Sequence, residues 1–313
     1  MNKATLVLLL AVCLLSPLAA EPAESRAVTV PFVFHDNRML VDCTIDDRGP
    51  FALIVDTGAP DLTITPETAR AISATVHDAG AVSGAGNKSV RSGTAKIDSF
   101  SVGSLSFAIH EATVLDLSQI RTKFGFHRLD GVIGYPIFEH FAVTVDPDRQ
   151  TLSFARGTPT VPAGATTTTF KGVTPEIAAT IDGISTTVII DTGDRSSLTL
   201  FGPFAKKHEF YGRYPSQRDL VTGYGLGGPI YGDVFTLPSL DVFGAHLSNV
   251  VTRASRQTGG VFTGSQQGGS IGEGVLKRFD LVYDYPKKRI IAWPSALRNQ
   301  PDRFVVPGST PRP

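Results

Sequence analysis

The sequence predicts an all-β protein made of two homologous β lobes with few short helices. Most of the chain consists of runs of four to eight residues rich in Val, Ile, Phe and Thr, bounded by Gly, Asp and Pro, which is the pattern of short strands and turns. Helical periodicity is weak. The chain of 313 residues is long enough for two domains, and its sequence repeats internally.

The repeat is marked by two apolar runs that end in the same Asp-Thr-Gly triplet, at residues 56–58 and 191–193. The two aspartates are 135 residues apart, and Gly134 corresponds to Gly272 further along the chain. The two pairs are thus offset by 135 and 138 residues, which is nearly constant. We therefore interpret the mature chain as two copies of one unit.

The chain begins with a pattern typical of a secretory signal. Lys3 precedes an apolar run at residues 4–15, and small residues follow up to Ala20. This run is shorter than the roughly 20 residues that a membrane-spanning helix needs. We therefore predict a signal peptide at residues 1–20 and an exported protein, periplasmic or secreted. An uncleaved N-terminal membrane anchor is the alternative.

The two lobes are predicted at residues 21–155 and 170–298. Residues 156–169 are rich in Pro, Gly and Thr and carry almost no charge, which is typical of a linker. The polar, Pro-rich tail at 299–313 is predicted to be flexible, and the Gly- and Gln-rich stretch 256–270 to be a mobile surface loop. Short helices are predicted at residues 65–74, 135–141 and 273–279.

Composition and motifs exclude several classes of partner and chemistry. Lys plus Arg equals Asp plus Glu at 29 each, so no excess of positive charge favours nucleic acid. No histidine pair has the spacing of a zinc-protease helix, and there is no Gly-x-Ser-x-Gly elbow. We expect no nucleic acid, no metal and no cofactor. Cys43 alternates with Val41 and Ile45 on a predicted strand, which indicates a buried core thiol.

A repeated unit that carries a carboxylate at the same point predicts two carboxylates facing each other between the lobes. Two carboxylates a few ångströms apart cannot both ionise freely, so they share one proton. One then acts as a base and the other as an acid, and together they activate water against a peptide carbonyl. Asp56 and Asp191 are therefore the candidate catalytic residues.

Each triplet is preceded by an apolar strand. About 80 residues later comes an apolar-apolar-Gly element, at 132–134 in the first copy and in a looser form at 270–272 in the second. This pattern resembles that of the aspartic proteases of the pepsin and retropepsin type. The resemblance covers most of the mature chain. It implies a bilobal pepsin/retropepsin-like acid protease fold and an aspartic-type endopeptidase that hydrolyses peptide bonds of extended polypeptide substrates. A monomer is expected, because both aspartates lie in one chain.

The resemblance also assigns roles to the residues that flank the aspartates. Thr57 and Thr192 are implied to hydrogen-bond across the interface to the opposite loop. Gly58 and Gly193 are implied to leave room for backbone N–H groups that donate to the carboxylates, since a Cβ would obstruct them.

Each lobe has a Gly-rich segment about thirty residues beyond its aspartate. In this family, a hairpin in that region is a flap that closes over an extended peptide. The predicted tip of the first flap is Ser83, Gly84, Ala85 and Gly86, and that of the second is Tyr224, Gly225, Leu226 and Gly227. For the second segment, an ordinary hairpin turn is the alternative.

Two residues depart from the pattern of pepsin-like enzymes, in which a hydroxyl residue commonly follows each triplet. Ala59 stands there in the first lobe and Asp194 in the second. A missing donor and an added negative charge both raise carboxylate pKa values, unless Arg195 neutralises Asp194. We therefore expect a pH optimum less acidic than that of stomach-type enzymes.

The alternative function is a module of the same fold that binds a peptide or a cell-surface ligand, with the aspartate pair disabled by Asp194.

Overall fold

The structure, a computed structural model, describes residues 27–300. The predicted signal peptide and all but the first two residues of the predicted tail lie outside the described residues. Strands make up 49% of the chain and helices 14%, which confirms the all-β class with few short helices. Within the described part of the chain, no helix is long and apolar enough to cross a membrane.

The first half of the chain forms strands β1 to β13 and helices α1 to α3. The strands are β1 Val28–Pro31, β2 Val33–His35, β3 Arg38–Ile45, β4 Arg48–Val55, β5 Leu62–Ile64, β6 Val76–Val82, β7 Val90–Lys96, β8 Phe100–Val102, β9 Leu105–Phe107, β10 Glu111–Val114, β11 Gly131–Ile133, β12 Ala142–Asp146 and β13 Thr151–Ala155. The helices are α1 Pro66–Ala71, α2 Ser118–Phe124 and α3 Tyr135–Phe138.

The second half forms strands β14 to β23 and helices α4 and α5. The strands are β14 Thr166–Thr169, β15 Glu176–Ile181, β16 Ile184–Ile190, β17 Leu198–Leu200, β18 Ser216–Gly225, β19 Gly228–Val242, β20 Ala245–Ser255, β21 Gly269–Ile271, β22 Phe279–Asp284 and β23 Arg289–Pro294. The α-helices are α4 Gly202–Lys207 and α5 Glu273–Leu276, and 3-10 turns lie at Val261–Thr263, Tyr285–Lys287 and Ala296–Asn299.

The short helices follow from local signals where such signals exist. Helix α1 begins at Pro66, and the Thr65 hydroxyl before it accepts a hydrogen bond from the backbone N–H of Thr68, so proline and an N-cap residue start the helix. Helices α1, α3 and α5 lie inside the three predicted ranges. Helices α2 and α4 were not predicted. None of the residues of α2 is fully buried, and its apolar side is limited to Ile120 and Phe124, which is too short a pattern to indicate a helix.

Each lobe is built on seven strands in the same spatial order. That order is β6-β7-β10-β5-β11-β4-β3 in the first lobe and β18-β19-β20-β17-β21-β16-β15 in the second. In both lobes the strand that leads to the triplet pairs in parallel with the strand of the later glycine element, β4 with β11 and β16 with β21. The matching order agrees with the predicted repeat.

A six-stranded sheet joins the two lobes, in the order β1-β13-β12-β22-β23-β14. The lobes meet where β12 pairs antiparallel with β22, with Val143 opposite Tyr283. Strand β14 consists of the last four residues of the predicted linker and pairs with β23. Four consecutive threonines suit a strand, because β-branched side chains pack well on a pleated surface.

The core below this shared sheet is rich in aromatic rings. Phe138 is fully buried, and its ring centroid lies 5.7 Å from that of Tyr283 and 5.3 Å from that of Tyr285. Phe170 lies 5.0 Å from Tyr285. These rings fix the second half of the chain against the first. Cys43 is buried in the main core, and burial raises the pKa of its thiol, as a core thiol requires.

We expect Phe138→Ala to lower the free energy of unfolding by about 3–5 kcal/mol, because it removes a buried ring and leaves a cavity below the shared sheet. Urea unfolding would measure the change. Val33→Ala, at a side chain that is 64% exposed, is the matched control and should change stability by less than about 0.5 kcal/mol. A loss below about 1 kcal/mol for Phe138→Ala would contradict the packing described here.

Candidate active site

The two aspartates lie at equivalent strand ends, just after β4 and just after β16. The backbone N–H of Asp56 donates to the carbonyl of Ile133 at 2.9 Å, and that of Asp191 donates to the carbonyl of Ile271 at 3.0 Å. In each lobe the parallel neighbour strand therefore fixes the backbone at the aspartate.

Four reciprocal hydrogen bonds join the two triplets across the lobe interface. The Thr57 hydroxyl donates to the carbonyl of Ile190 at 2.7 Å, and the Thr192 hydroxyl donates to the carbonyl of Val55 at 2.8 Å. Each threonine N–H in turn donates to the hydroxyl of the other, at 3.0 and 3.1 Å. Both threonines are buried. This threonine lattice is the contact that the resemblance implies, and it fixes the separation of the two loops.

The carboxyl groups of Asp56 and Asp191 lie against each other, since a Cβ on Gly58 would be 3.0 Å from an oxygen of each. The N–H of Gly58 donates to Asp56 Oδ1 at 2.7 Å, and the N–H of Gly193 donates to Asp191 Oδ1 at 2.9 Å. A Cβ on Gly193 would lie 2.3 Å from the carboxyl carbon of Asp56, and one on Gly58 would lie 3.0 Å from that of Asp191. The paired carboxyls therefore leave no room for a side chain at Gly193.

Gly134 and Gly272 lie where each lobe passes a strand closely behind its aspartate loop. A Cβ on Gly134 would lie 2.0 Å from the carbonyl oxygen of Ala59, and one on Gly272 would lie 2.3 Å from that of Asp194. Such distances exclude any larger residue. The repeated glycine is thus a packing requirement of both loops.

Burial raises the pKa of both aspartates, because it disfavours the charged form. The pKa of Asp191 lies well above its ordinary value, since the negative charges of Asp56 and Asp194 act in the same direction. For Asp56, the hydrogen bond from Asp191 and the positive charge of Arg38 oppose the effect of burial on the pKa. Asp194 and Arg38 thus place charges of opposite sign beside the two carboxyls.

Arg253, and not the neighbouring Arg195, pairs with Asp194. A guanidinium nitrogen of Arg253 lies 3.1 Å from each carboxylate oxygen of Asp194, whereas Arg195 binds the carboxylate of Asp36 through two hydrogen bonds of 2.6 Å. Strand β20 places Arg253 opposite Thr199 of β17, next to Asp194. From the sequence, only Arg195 was named as a candidate partner of Asp194, because the two residues are adjacent in the chain.

Asp194 is buried but remains ionised. Burial acts to raise its pKa, but the charge of Arg253 and the hydrogen bonds from Ser196 and Thr199 outweigh burial and lower the pKa. Its negative charge therefore acts on Asp191, in the direction that the sequence predicts.

Sequence reasoning missed the turn between β2 and β3, which docks onto the second lobe. Arg38 donates to the carbonyl of Gly193 at 3.0 Å and pairs with Asp36 at 2.8 Å. Asn37 donates to the carbonyl of Arg195 at 2.9 Å. Asp36 and Asn37 have positive φ, and the Asp-Asn pair is a turn signal in the sequence. Nothing in the sequence indicated that this turn contacts the Asp191 loop of the second lobe.

Glu273 is a second residue that sequence reasoning missed. It is 2% exposed, follows Gly272, and its N–H donates to the carbonyl of Asp194 at 2.8 Å. Burial raises its pKa to about 8, and the charge of Lys277 acts in the opposite direction. The only signal in the sequence was an acidic residue inside an otherwise apolar segment.

The two predicted flap tips lie at hairpins and contact each other. Residues 83–86 belong to the loop between β6 and β7, and residues 224–227 form the turn between β18 and β19. The N–H of Gly86 donates to the carbonyl of Leu226 at 2.8 Å, and the N–H of Lys88 donates to that of Gly227 at 3.1 Å. We call residues 83–88 and 224–228 the roof, since they bridge the two lobes.

The remaining predicted tip residues have separate contacts. Ser83 shares a hydrogen bond with Ser89 at 2.9 Å, within its own loop. A Cβ on Gly225 would lie 2.7 Å from the Cβ of Ala85. The ring of Tyr224 meets that of Phe124 edge-on, with centroids 6.4 Å apart. Six of the eight predicted residues thus lie at the meeting point of the hairpins, whereas Ser83 bonds within its own loop and Tyr224 contacts helix α2.

The stretch 256–270, interpreted from sequence as a mobile surface loop, is instead bonded to the first hairpin. Gln257 donates from its amide to the carbonyl of Ala85 at 2.9 Å. The side-chain oxygen of Asn87 accepts from two backbone N–H groups of this stretch, at 3.0 and 3.1 Å. The Gly and Gln residues indicated an exposed loop. In the structure, the small glycines and the glutamine amide allow close contact with the first hairpin.

Within residues 27–300, three carboxylates lie close enough together to hold a metal ion, those of Asp146, Asp148 and Asp280, whose oxygens are within 4.8 Å of one another. Asp146 already pairs with Arg149 at 2.8 Å, and Asp148 accepts a hydrogen bond from the N–H of Ala296. Acidic side chains often cluster on surfaces without binding metal, so we assign no ion to this group.

Glu273→Gln should make the protein more stable than wild type at pH 8 but not at pH 4. The folded-state pKa of Glu273, about 8, exceeds its ordinary 4.5, so the stability of the wild type falls as pH rises from about 4.5 to about 8. Urea unfolding at both pH values should show a difference above about 1 kcal/mol at pH 8.

The matched control for this experiment is Glu67→Gln on helix α1, whose side chain is 65% exposed. It should show no such pH dependence. If the Glu273→Gln protein differs from wild type by the same amount at pH 4 and at pH 8, the buried carboxyl does not titrate as described.

Comparison with known proteins agrees with this geometry. Residues 41–137 match the aspartyl protease family, and no curated protein matches the sequence. Among solved structures, the aspartic proteinase from Irpex lacteus has a TM-score of 0.59 at 17% identity, over 88% of this chain and 100% of that chain. The latter match shows a shared fold. The family match covers Asp56 and the glycine element of the first lobe, and the shared fold extends over most of the chain.

Proposed function

We propose that the protein is an aspartic-type endopeptidase that hydrolyses peptide bonds of extended polypeptides at Asp56 and Asp191. The observation that supports the proposal most directly is that these two carboxyls lie against each other, on loops held by the threonine lattice. Catalysis by such a pair needs one proton shared between two carboxyls at a fixed separation. The family and the fold support a protease-type function at the coarser level.

In the proposed first step, ionised Asp56 takes a proton from a water molecule as the water oxygen attacks the peptide carbonyl carbon. Asp191, which carries the shared proton, donates it to the carbonyl oxygen. The product is a neutral diol, with Asp56 protonated and Asp191 ionised. The negative charge of Asp194 near Asp191 and the positive charge of Arg38 near Asp56 support this assignment of roles.

In the second step the carbon–nitrogen bond breaks. The leaving nitrogen takes the proton from Asp56, and Asp191 recovers a proton from one diol hydroxyl as the new carboxyl group forms. The pair returns to its starting state, so neither a metal nor a covalent intermediate enters the cycle.

An extended substrate suits the two hairpins. Strands β6 and β18 lie at the ends of their sheets, so each has one backbone edge without a neighbouring strand. Such edges bind extended peptides through main-chain hydrogen bonds. We propose that the polypeptide lies between the roof and the aspartate pair.

We further propose that the protein acts outside the cytoplasm and as a monomer. The basis for export is the leader-like pattern of residues 1–20, which lie outside the described residues. The basis for a monomer is that both carboxyls and both hairpins come from one chain. Mass measurement of the exported protein and its sedimentation in solution would test the two proposals.

Asp56→Asn and Asp191→Asn should each abolish cleavage of an unfolded protein mixture, by at least about a thousandfold, because neither variant can share the proton as proposed. Asp61→Asn, at an exposed aspartate near the first triplet, is the control and should cut normally. If wild type and variants all fail to cut while the protein binds a peptide, the binding-module function replaces this proposal.

We expect the activity of the wild type to peak at a less acidic pH than that of stomach-type enzymes. Asp194→Asn should move the alkaline limb of the kcat/KM profile to lower pH. The charge of Asp194 raises the pKa of Asp191, so its removal lowers that pKa and the shared proton is lost earlier.

Asp47→Asn, at an exposed turn, should leave the pH profile unchanged. The Asp194 variant leaves Arg253 buried without its carboxylate, at a cost of about 3–5 kcal/mol in stability, so the profile is taken well below its unfolding temperature. A wild-type optimum below about pH 3, or an alkaline limb that Asp194→Asn does not move, would contradict the electrostatic argument.

A further inference from the structure

A second apolar cluster lies in the first lobe, next to the aspartate pair. Its buried residues are Ile54, Leu115, Leu117, Phe126 and Leu129. Ile54 precedes Asp56 by two residues and pairs with Val132 of β11, which packs on the same cluster. Leu53 and Val55 belong to the main core instead, so Ile54 faces the opposite side of the sheet. We call this cluster the Ile54 pocket.

Leu226, from the tip of the second hairpin, packs into the Ile54 pocket. Among the described residues, it is the one member of this cluster that comes from the second lobe. Its backbone accepts the hydrogen bond from Gly86, and its Cβ would lie 2.6 Å from a Cβ on Gly84. The tip therefore passes the first hairpin at a distance that only glycine permits, and its leucine reaches the other lobe.

The two hairpins are held differently. The first is bonded to the second lobe by polar groups, with Asn87 and Ala85 bound by residues 257–259 and the N–H of Val261 donating to the carbonyl of Gly84 at 3.0 Å. The second is held to the first lobe by the backbone hydrogen bonds from Gly86 and Lys88. The side chain of Leu226 and the ring of Tyr224 add apolar contacts. A cavity of about 540 Å³, lined by residues 88–91, 118–120 and 225–229 among others, lies beside this second contact.

From this arrangement we infer that Leu226 and an apolar side chain of the substrate compete for the Ile54 pocket. Apolar burial is nondirectional, so a substrate side chain of similar size replaces Leu226 without specific partners. The cavity beside the second tip gives that hairpin space into which it withdraws. Leu226 is thus a built-in competitor of apolar substrate residues next to the cleaved bond. This inference rests on the proposed function, because it requires a polypeptide bound at the aspartate pair.

The test compares wild type with Leu226→Ala and Leu226→Val on two peptides that differ only in having Phe or Ser beside the cleaved bond. Leu226→Ala should raise kcat/KM for the Phe peptide by about ten- to a hundredfold, since each buried methylene contributes a factor of about four. The Ser peptide does not fill the pocket and should change less than about threefold. Leu226→Val should give an intermediate gain, which a misfolded variant would not.

Tyr231→Ala, on the same hairpin at a side chain that is 40% exposed, is the control and should match wild type on both peptides. The same Leu226 variants in an Asp191→Asn background should bind an uncut, fluorescently labelled Phe peptide more tightly, by a similar factor. This binding measurement does not depend on hydrolysis.

Two results would overturn the inference, and they are distinguishable. If wild type cuts the Phe peptide but Leu226→Ala gains less than threefold or binds it more weakly, Leu226 is part of the binding wall, and the protease function stands. If no variant cuts or binds either peptide, the proposed function has failed and this inference fails with it.

Discussion

The lattice of hydrogen bonds between Thr57 and Thr192 is the interaction on which the rest of the site depends. Each hydroxyl donates to a carbonyl just before the aspartate of the other lobe, so backbone atoms set the separation of the two carboxyls. Both threonines are buried, and a hydrogen bond is electrostatically stronger in a low-dielectric interior than in water. The six-stranded sheet joins the same two lobes through strand pairing. Two independent kinds of contact thus hold one interface.

Two carboxyls of identical chemistry become unequal because their surroundings differ. The negative charge of buried Asp194, which Arg253 keeps ionised, raises the pKa of Asp191. Asp56 instead feels the positive charge of Arg38, brought in by the turn between β2 and β3. Environments that push two pKa values apart separate the acid from the base. The sequence repeat provides the two carboxyls. Asp194 and Arg38, which differ between the two lobes, make the carboxyls unequal and so favour one direction of proton transfer.

The hairpins show the same departure from symmetry. They occupy equivalent places in sheets of equal strand order, and their tips bond to each other. Polar groups of residues 257–261 hold the first tip. The second tip accepts backbone hydrogen bonds from Gly86 and Lys88, and its only side chain in the apolar cluster is Leu226, which packs against the Ile54 pocket. Polar contacts require a fixed geometry, but an apolar side chain can be replaced by another of similar size. The duplicated unit has therefore given one anchored and one exchangeable contact.

The sequence by itself determined the all-β class, the repeat, the paired triplets and the glycines beside them. Each of these depends on local patterns: apolar alternation, turn residues, and a backbone approach that excludes a Cβ at Gly134. Only the tertiary structure decided that Arg253, and not neighbouring Arg195, pairs with Asp194, and that Leu226 enters the opposite lobe. Those contacts join residues far apart in the chain, and strand register and lobe docking select them. Local sequence patterns do not determine which distant side chain contacts a given residue. These contacts therefore could not be predicted from sequence.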